Sequence, residues 1–134
     1  MKPIMNIAEL ERELQPQRHG ERFAAEMAQV GPRIGARKLG CRLTVVPPGK
    51  SAWPFHAHVV NEEMVFVIEG EGVLRLAEGE YPLQAGDVVA LPPGGMEAAH
   101  EIINRSSQPL KYSVSYTHLR AHETDSYLVC RLLL

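Results

Sequence analysis

Two rhythms of apolar and polar positions divide this chain. Between residues 4 and 14 the apolar positions are Ile4, Ile7, Leu10 and Leu14, with acids between them, close to helical spacing. Asn6 stands where a cap would, and Glu9 three residues on completes a box-like pattern, so a short helix is expected there. A loop is expected over residues 15–20. From residue 21 onward the rhythm shortens. Strands are expected at 21–30, 38–46, 53–58, 62–68, 73–76, 81–83, 87–91, 100–104 and 110–114, broken by Gly31-Pro32, Gly35, Glu78-Gly79 and Pro92-Pro93-Gly94-Gly95. Short strands with turn signals roughly every 8–12 residues argue for an all-β sandwich or barrel. Within residues 62–68 the period is two: Glu63, Val65 and Val67 share one face, and Met64, Phe66 and Ile68 share the other. His100, Ile102 and Asn104 form a second such row.

Composition narrows the class. The 134 residues amount to one domain, and 45% hydrophobic with 22% charged residues suits a globular core. The formal net charge of −2 carries no electrostatic footprint for nucleic acid or an anionic membrane, so neither is expected as a partner. No apolar run approaches the roughly 18 residues of a membrane span, and the first residues lack the apolar core of a signal peptide. Cys41 and Cys130 are far apart and match no metal or disulfide spacing; two reduced thiols in a cytoplasmic protein is the expectation. The organisation reads as an arm over 1–20, a barrel over 21–115 and an atypical tail over 116–134. That tail has no Gly or Pro and resembles translated sequencing-adapter DNA, so it is read as foreign to the natural protein. His118 and His122 within it are assigned no role.

The candidate chemistry lies in His56-Ala57-His58, followed by Glu63 and later by His100. Two histidines at i, i+2 on a strand would point to one face. Imidazole nitrogen and carboxylate oxygen are ligands that Zn, Mn, Fe and Ni all accept, so a divalent metal is the expected cofactor, its identity open. A carboxylate opening an apolar inward row is costly to bury unless a cation compensates it. Spacing favours Glu63 over Glu62 as the ligand. Binding requires neutral imidazoles, so affinity should fall below about pH 6.

Residues 49–70 (GKSAWPFHAHVVNEEMVFVIEG) resemble the first motif of the cupin superfamily, with His56, His58, Glu63 and Gly70 in register and Gly49 one residue further upstream. Residues 86–104 (GDVVALPPGGMEAAHEIIN) resemble the second, with Gly86, Pro92, Gly94, His100 and Asn104. Five residues separate Gly94 from His100 where the family pattern has two; His100 is assigned because Asn104 follows it by four. The likeness is to small single-domain bacterial cupins of unassigned activity. It implies a double-stranded β-helix, or jelly-roll barrel, holding a divalent metal near its wider mouth through His56, His58, Glu63 and His100.

The expected function is therefore a metal-binding cupin acting as a small-molecule enzyme, of dioxygenase or isomerase type. A non-catalytic cupin that binds a sugar or carboxylate is the alternative, and a metal-free structural barrel is a third reading. Glu97 is a candidate acid or base at the mouth. Trp53, Phe55 and Phe66 are read as packing or dimer-contact residues ahead of substrate stackers; Arg42, Arg75 and Lys111 could face the cavity and hold an anionic substrate, with a solvated outer face the favoured reading for each. Asn104 is read as orienting a neighbour or capping a turn. A homodimer is expected, with Met64, Phe66 and Ile68 as its apolar outer row.

Overall fold

The computed structural model describes residues 2–117; of the tail expected from 116 onward, Tyr116 and Thr117 instead end the last strand of the fold, paired with Gly40 and Leu39, and the remainder, with His118, His122 and Cys130, lies outside the described residues. Among the described residues nine strands form: β1 (Gln15–His19), β2 (Phe23–Gln29), β3 (Leu39–Val46), β4 (Glu63–Glu69), β5 (Glu71–Leu76), β6 (Gly79–Gln84), β7 (Val88–Leu91), β8 (His100–Ile103) and β9 (Leu110–Thr117). They make a six-stranded sheet ordered β1-β2-β3-β9-β4-β7 and a three-stranded sheet ordered β6-β5-β8, with every strand pair antiparallel. This is the expected all-β jelly roll. The only helical pieces among the described residues are three 3₁₀ turns, and none is long and apolar enough to cross a membrane.

Period-two alternation builds the core. On β4, Glu63, Val65 and Val67 are buried while Met64 and Phe66 lie exposed. The inward row of β4 meets Leu74, Leu83 and Ile102 of the small sheet, with Val46, Leu110, Tyr112 and Val114 beside it. Gly70, where β4 gives way to β5, has φ +91°, and a Cβ there would strike the Pro109 carbonyl oxygen. Only glycine fits both demands.

The N-terminal pattern folds more tightly than its period suggests. Its helix is a single 3₁₀ turn over Ile7–Leu10, capped by Asn6 Oδ1 accepting from the Ala8 N–H at 2.9 Å. The apolar positions still do what amphipathic spacing requires. Leu10 is fully buried with Val30 and Leu43 on the outer face of the large sheet, and Ile7 and Leu14 pack around it. Ile4 is instead exposed.

Two expected boundaries shift. Residues 15–20 were expected as a loop, but Gln15–His19 pairs with β2 from Gln15↔Met27 to His19↔Phe23. The strand is exposed at every residue, so no apolar alternation marks it. Residues 53–58 were expected as a strand and do not form one; the segment bends around Pro54 and keeps only isolated bridges, His56↔His100 among them. Proline removes a ladder donor there.

Candidate metal centre

Four side chains converge at the inner end of a cleft between β1–β3 and the loop before β4. His56 and His58 come from the bend after Pro54, Glu63 from the first position of β4, and His100 from the first position of β8. One ligand atom from each lies within 4.8 Å of all the others. Glu63 Oε1 is 3.4 Å from His100 Nε2, and Glu63 Oε2 is 3.6 Å from His58 Nε2. The His56 ring centroid is 4.5 Å from that of His100 and 4.9 Å from that of His58.

Backbone bonds fix this arrangement without a strand under the histidines. His56 N–H donates to the His100 carbonyl at 3.0 Å, and His100 N–H donates back to that of His56 at 2.7 Å. Gly94 N–H donates to the His58 carbonyl at 3.0 Å, tying the Pro-Gly loop to the second histidine. The long Gly94–His100 spacing is absorbed by the 3₁₀ turn at Met96–Ala98, so His100 still enters β8 facing inward. The motif asparagine has a structural task. Asn104 Nδ2 donates to the carbonyls of Val46 and Gln108 at 2.9 and 2.8 Å, and its Oδ1 accepts from Ser106 N–H and Oγ–H at 2.9 and 2.7 Å.

The donor set fits a divalent cation. Two ligands each about 2.1 Å from one ion lie roughly 3–3.5 Å apart, close to the Glu63–histidine separations. The ring nitrogens face the right way as well. A carbonyl only accepts, so Nδ1–H of His56 donates to Pro54 O at 2.7 Å, leaving the Nε2 lone pair for a metal. His100 Nδ1 faces Ala98 O at 3.4 Å in the same sense. Burial, then the neighbouring His100 ring, pushes the His56 pKa down to about 4, so this ring is neutral at physiological pH. Burial works to raise the Glu63 pKa, but the His100 hydrogen bond and the His58 and Arg42 charges outweigh it and hold it at about 2. Glu63 is 6% exposed and Glu62 is exposed, which settles which of the pair points at the histidines.

The cleft outside the cluster has a volume of about 750 Å³. Gln15 and Gln17 of β1, Met27 and Gln29 of β2, Arg42 of β3, Trp53, Asn61 and Tyr116 contribute to its wall, with Glu13 and Arg33 also lining it. A much smaller chamber of about 20 Å³ lies beside the cluster, lined by Val65, Leu91, Ile102, Tyr112 and Val114. It has room for about one water molecule.

Arg42 and Glu97 depart from their expected places, while Trp53 packs as expected. Arg42 was placed on a solvated outer face, but it shares the inward row of β3 with Thr44 and Val46, and its Nη2 lies 3.7 Å from Glu63 Oε2. Gly40, the residue before it on that row, leaves room for the Tyr116 ring; a Cβ would collide with it, and Arg42 lies 5.1 Å over the same ring. Trp53 packs on the core but also forms cavity wall, with His19 against its outer side at 5.6 Å between ring centroids. Glu97 is exposed, accepts from the Gly95 N–H at 3.0 Å, and does not line the cavity. Lys111 and Arg75 stay outside that cavity. Lys111 pairs with Glu11 and Glu69, and Arg75 lies over Phe55 while bonding Glu101. Glu101 was not anticipated: its buried carboxylate accepts from Ser51 Oγ at 2.8 Å and Arg75 Nη1 at 3.1 Å. The charge of Glu101 amid apolar neighbours on β8 was the only signal for it.

The family profile described as "Cupin domain" matches residues 42–116, more than half of the chain, and the protein belongs to the cupin family. It is 31% identical over 67 residues to an uncharacterized protein of Methanocaldococcus jannaschii, and spans about half the length of that curated relative. Among solved structures it is similar to a "Putative sugar phosphate isomerase" of Acidithiobacillus ferrooxidans, with 29% identity and a TM-score of 0.78, over 88% of this chain and 76% of that one. It is also similar to a sugar phosphate isomerase from a cupin superfamily in Silicibacter pomeroyi, with 30% identity and a TM-score of 0.67, over 71% of this chain and 60% of that one. A predicted oxalate decarboxylase of Thermotoga maritima matches at 25% identity and a TM-score of 0.66, over 81% of this chain and 96% of that one.

Proposed function

We propose that the protein is a metal-dependent enzyme of isomerase type that acts on a small molecule, its divalent metal held by His56, His58, Glu63 and His100. The observation that carries this reading is the convergence of the four donors, three of them (His56, His58 and Glu63) lining a 750 Å³ cavity large enough for a metabolite. Three imidazoles and one carboxylate leave up to two positions open on a six-coordinate ion. When bound, the metal supplies Lewis-acid polarisation of a substrate oxygen. The chain's own residues set the rest: Pro54 O and Ala98 O orient two imidazoles, and the wall formed by Trp53 and Met27 excludes water from one side. The two structures named as sugar phosphate isomerases, at 29% and 30% identity, support isomerase chemistry over the dioxygenase alternative.

Protein expressed in defined medium should carry close to one Fe, Mn, Ni or Zn per chain by elemental analysis. Metal-loaded protein should interconvert an aldose phosphate and its ketose, followed by proton NMR. Less than about 0.1 metal per chain after gentle purification rejects the metal reading. Ligand-induced thermal stabilisation without turnover across candidate substrates shifts the assignment to a non-catalytic binding cupin. Oxygen uptake on adding Fe(II) and a candidate substrate shifts it to a dioxygenase.

The functional unit in this reading is a cytoplasmic homodimer. Met64, Phe66 and Val88 lie exposed side by side on the outer face of β4 and β7, where Phe66 pairs with Val88. Light scattering after size exclusion should give twice the chain mass; a stable monomer removes the dimer from the proposal.

A further inference from the structure

The cavity wall carries an unusual pairing of one half-buried cation with a row of side-chain amides. Arg42 is only 17% exposed, and its Nε is buried with no hydrogen-bond partner among the described residues. Its contact with Glu63 is 3.7 Å, too long for a hydrogen bond. A largely buried guanidinium whose Nε has no partner is costly in a finished protein, and an anion arriving through the cavity would offset its charge. Gln15, Gln17, Gln29 and Asn61 line the same cavity. An amide both donates and accepts, which matches a hydroxyl and suits a ligand with several of them. Trp53 adds an aromatic surface on the same wall.

The position of β1 strengthens this. The strand buries nothing, so hydrophobic burial does not account for it. Its pairing places Gln15, Gln17 and His19 opposite Met27, Ala25 and Phe23, the row of β2 whose Met27 and Ala25 face the core. By alternation the three side chains share the inward face, two of them on the cavity and the third against Trp53.

We propose that the substrate is a small polyhydroxylated anion, a sugar phosphate or sugar acid, with Arg42 as the anchor for its charged group and the glutamines of β1 as readers of its hydroxyls. This rests on the enzyme reading above for the presence of a substrate. It adds the chemical class and the specificity-determining residues, which the metal ligands do not define.

The test is equilibrium binding, followed by the fluorescence of Trp53, the chain's single tryptophan. The probes are ribose 5-phosphate, glucose 6-phosphate, ribonate, gluconate and the uncharged parents ribose and glucose. Wild-type protein should bind at least one charged member roughly tenfold or more tighter than its parent sugar, and the better of phosphate and carboxylate identifies the group. R42Q should lose roughly 10- to 100-fold for the charged probe and little for the parent, the range for losing a hydrogen bond to a charged group. R42K, which keeps the charge without the fork, should fall between. Q17A, at an exposed site that cannot endanger the fold, should weaken charged and uncharged probes alike. The inference is overturned if wild type does not discriminate charge, if no probe binds, or if R42Q, with circular dichroism and metal content unchanged, binds the charged probe as wild type does. Metal content is measured on the same samples. Arg42-dependent binding to metal-free protein keeps this inference while the enzyme reading falls, and metal without discrimination does the reverse.

Discussion

His58 and Glu63 lie in the candidate metal centre and outside the packing that holds the fold together. Neither belongs to the apolar core, which is built from Val65, Val67, Leu74, Leu110 and their neighbours. His58→Ala is therefore expected to abolish metal retention while the β-type circular dichroism persists. Glu63→Gln should lower metal affinity by roughly tenfold or more, since a neutral amide replaces a charged ligand. An unaltered metal content in that variant would hand the role to Glu62. Acid acts on the same residues in metal-free protein. The unfolded His56 ring takes up a proton below about pH 6.5, whereas the folded ring does so only near 4. Stability should fall as pH drops through that window, because the unfolded chain binds the proton first. Glu63 ionises more readily folded than unfolded, and its contribution is lost between pH 4.5 and about 2, in the same direction. Denaturant midpoints measured from pH 8 to 4 after chelator treatment should decline. A flat profile would mean that the His56 ring is as easily protonated in the fold as in the open chain. The four donors were legible in the sequence because their spacing is bound to chemistry. Arg42 was not, because both rows of β3 contain apolar residues, and alternation alone cannot say which row faces in.

At the level of elements, what could be read depended on whether burial enforces a period. The second half of the barrel was legible strand by strand, with ends missed by up to three residues at β5, β6 and β9: β4 alternates strictly, and β5 and β6 flank a two-residue turn. β1 escaped because it is polar at all positions and contains Pro16. The segment 53–58 has the composition of a strand, yet it forms isolated bridges, His56–His100 among them, and no ladder. The N-terminal arm was assigned the right face and the wrong helix: a 3₁₀ turn is enough to place Leu10 over Leu43. Leu10→Ala is expected to cost about 2–5 kcal/mol, the range for emptying a fully buried leucine site. Because this cluster lies on the outside of the sheet, metal affinity in the folded fraction should stay at the wild-type level. Chemical denaturation beside a metal titration checks both halves of that expectation.

For the whole molecule, the sheet order places β9 between β3 and β4, in the middle of the large sheet. It pairs with β3 along Leu39↔Thr117 to Val46↔Leu110 and with β4 from Glu63↔Tyr116 onward. A strand from the far end of the described chain thus joins two strands made long before it. During synthesis, β3 and β4 leave the ribosome with bare edges and wait for residues 110–117 to arrive. The barrel can close only after translation of that stretch is complete, and His58 and Glu63 of the candidate metal centre have no fixed surroundings until then. Such long-range closure is slow and exposes edges to other chains. Nascent chains stalled before residue 110 should be protease-sensitive throughout, and chains released after residue 117 should acquire resistance in one step.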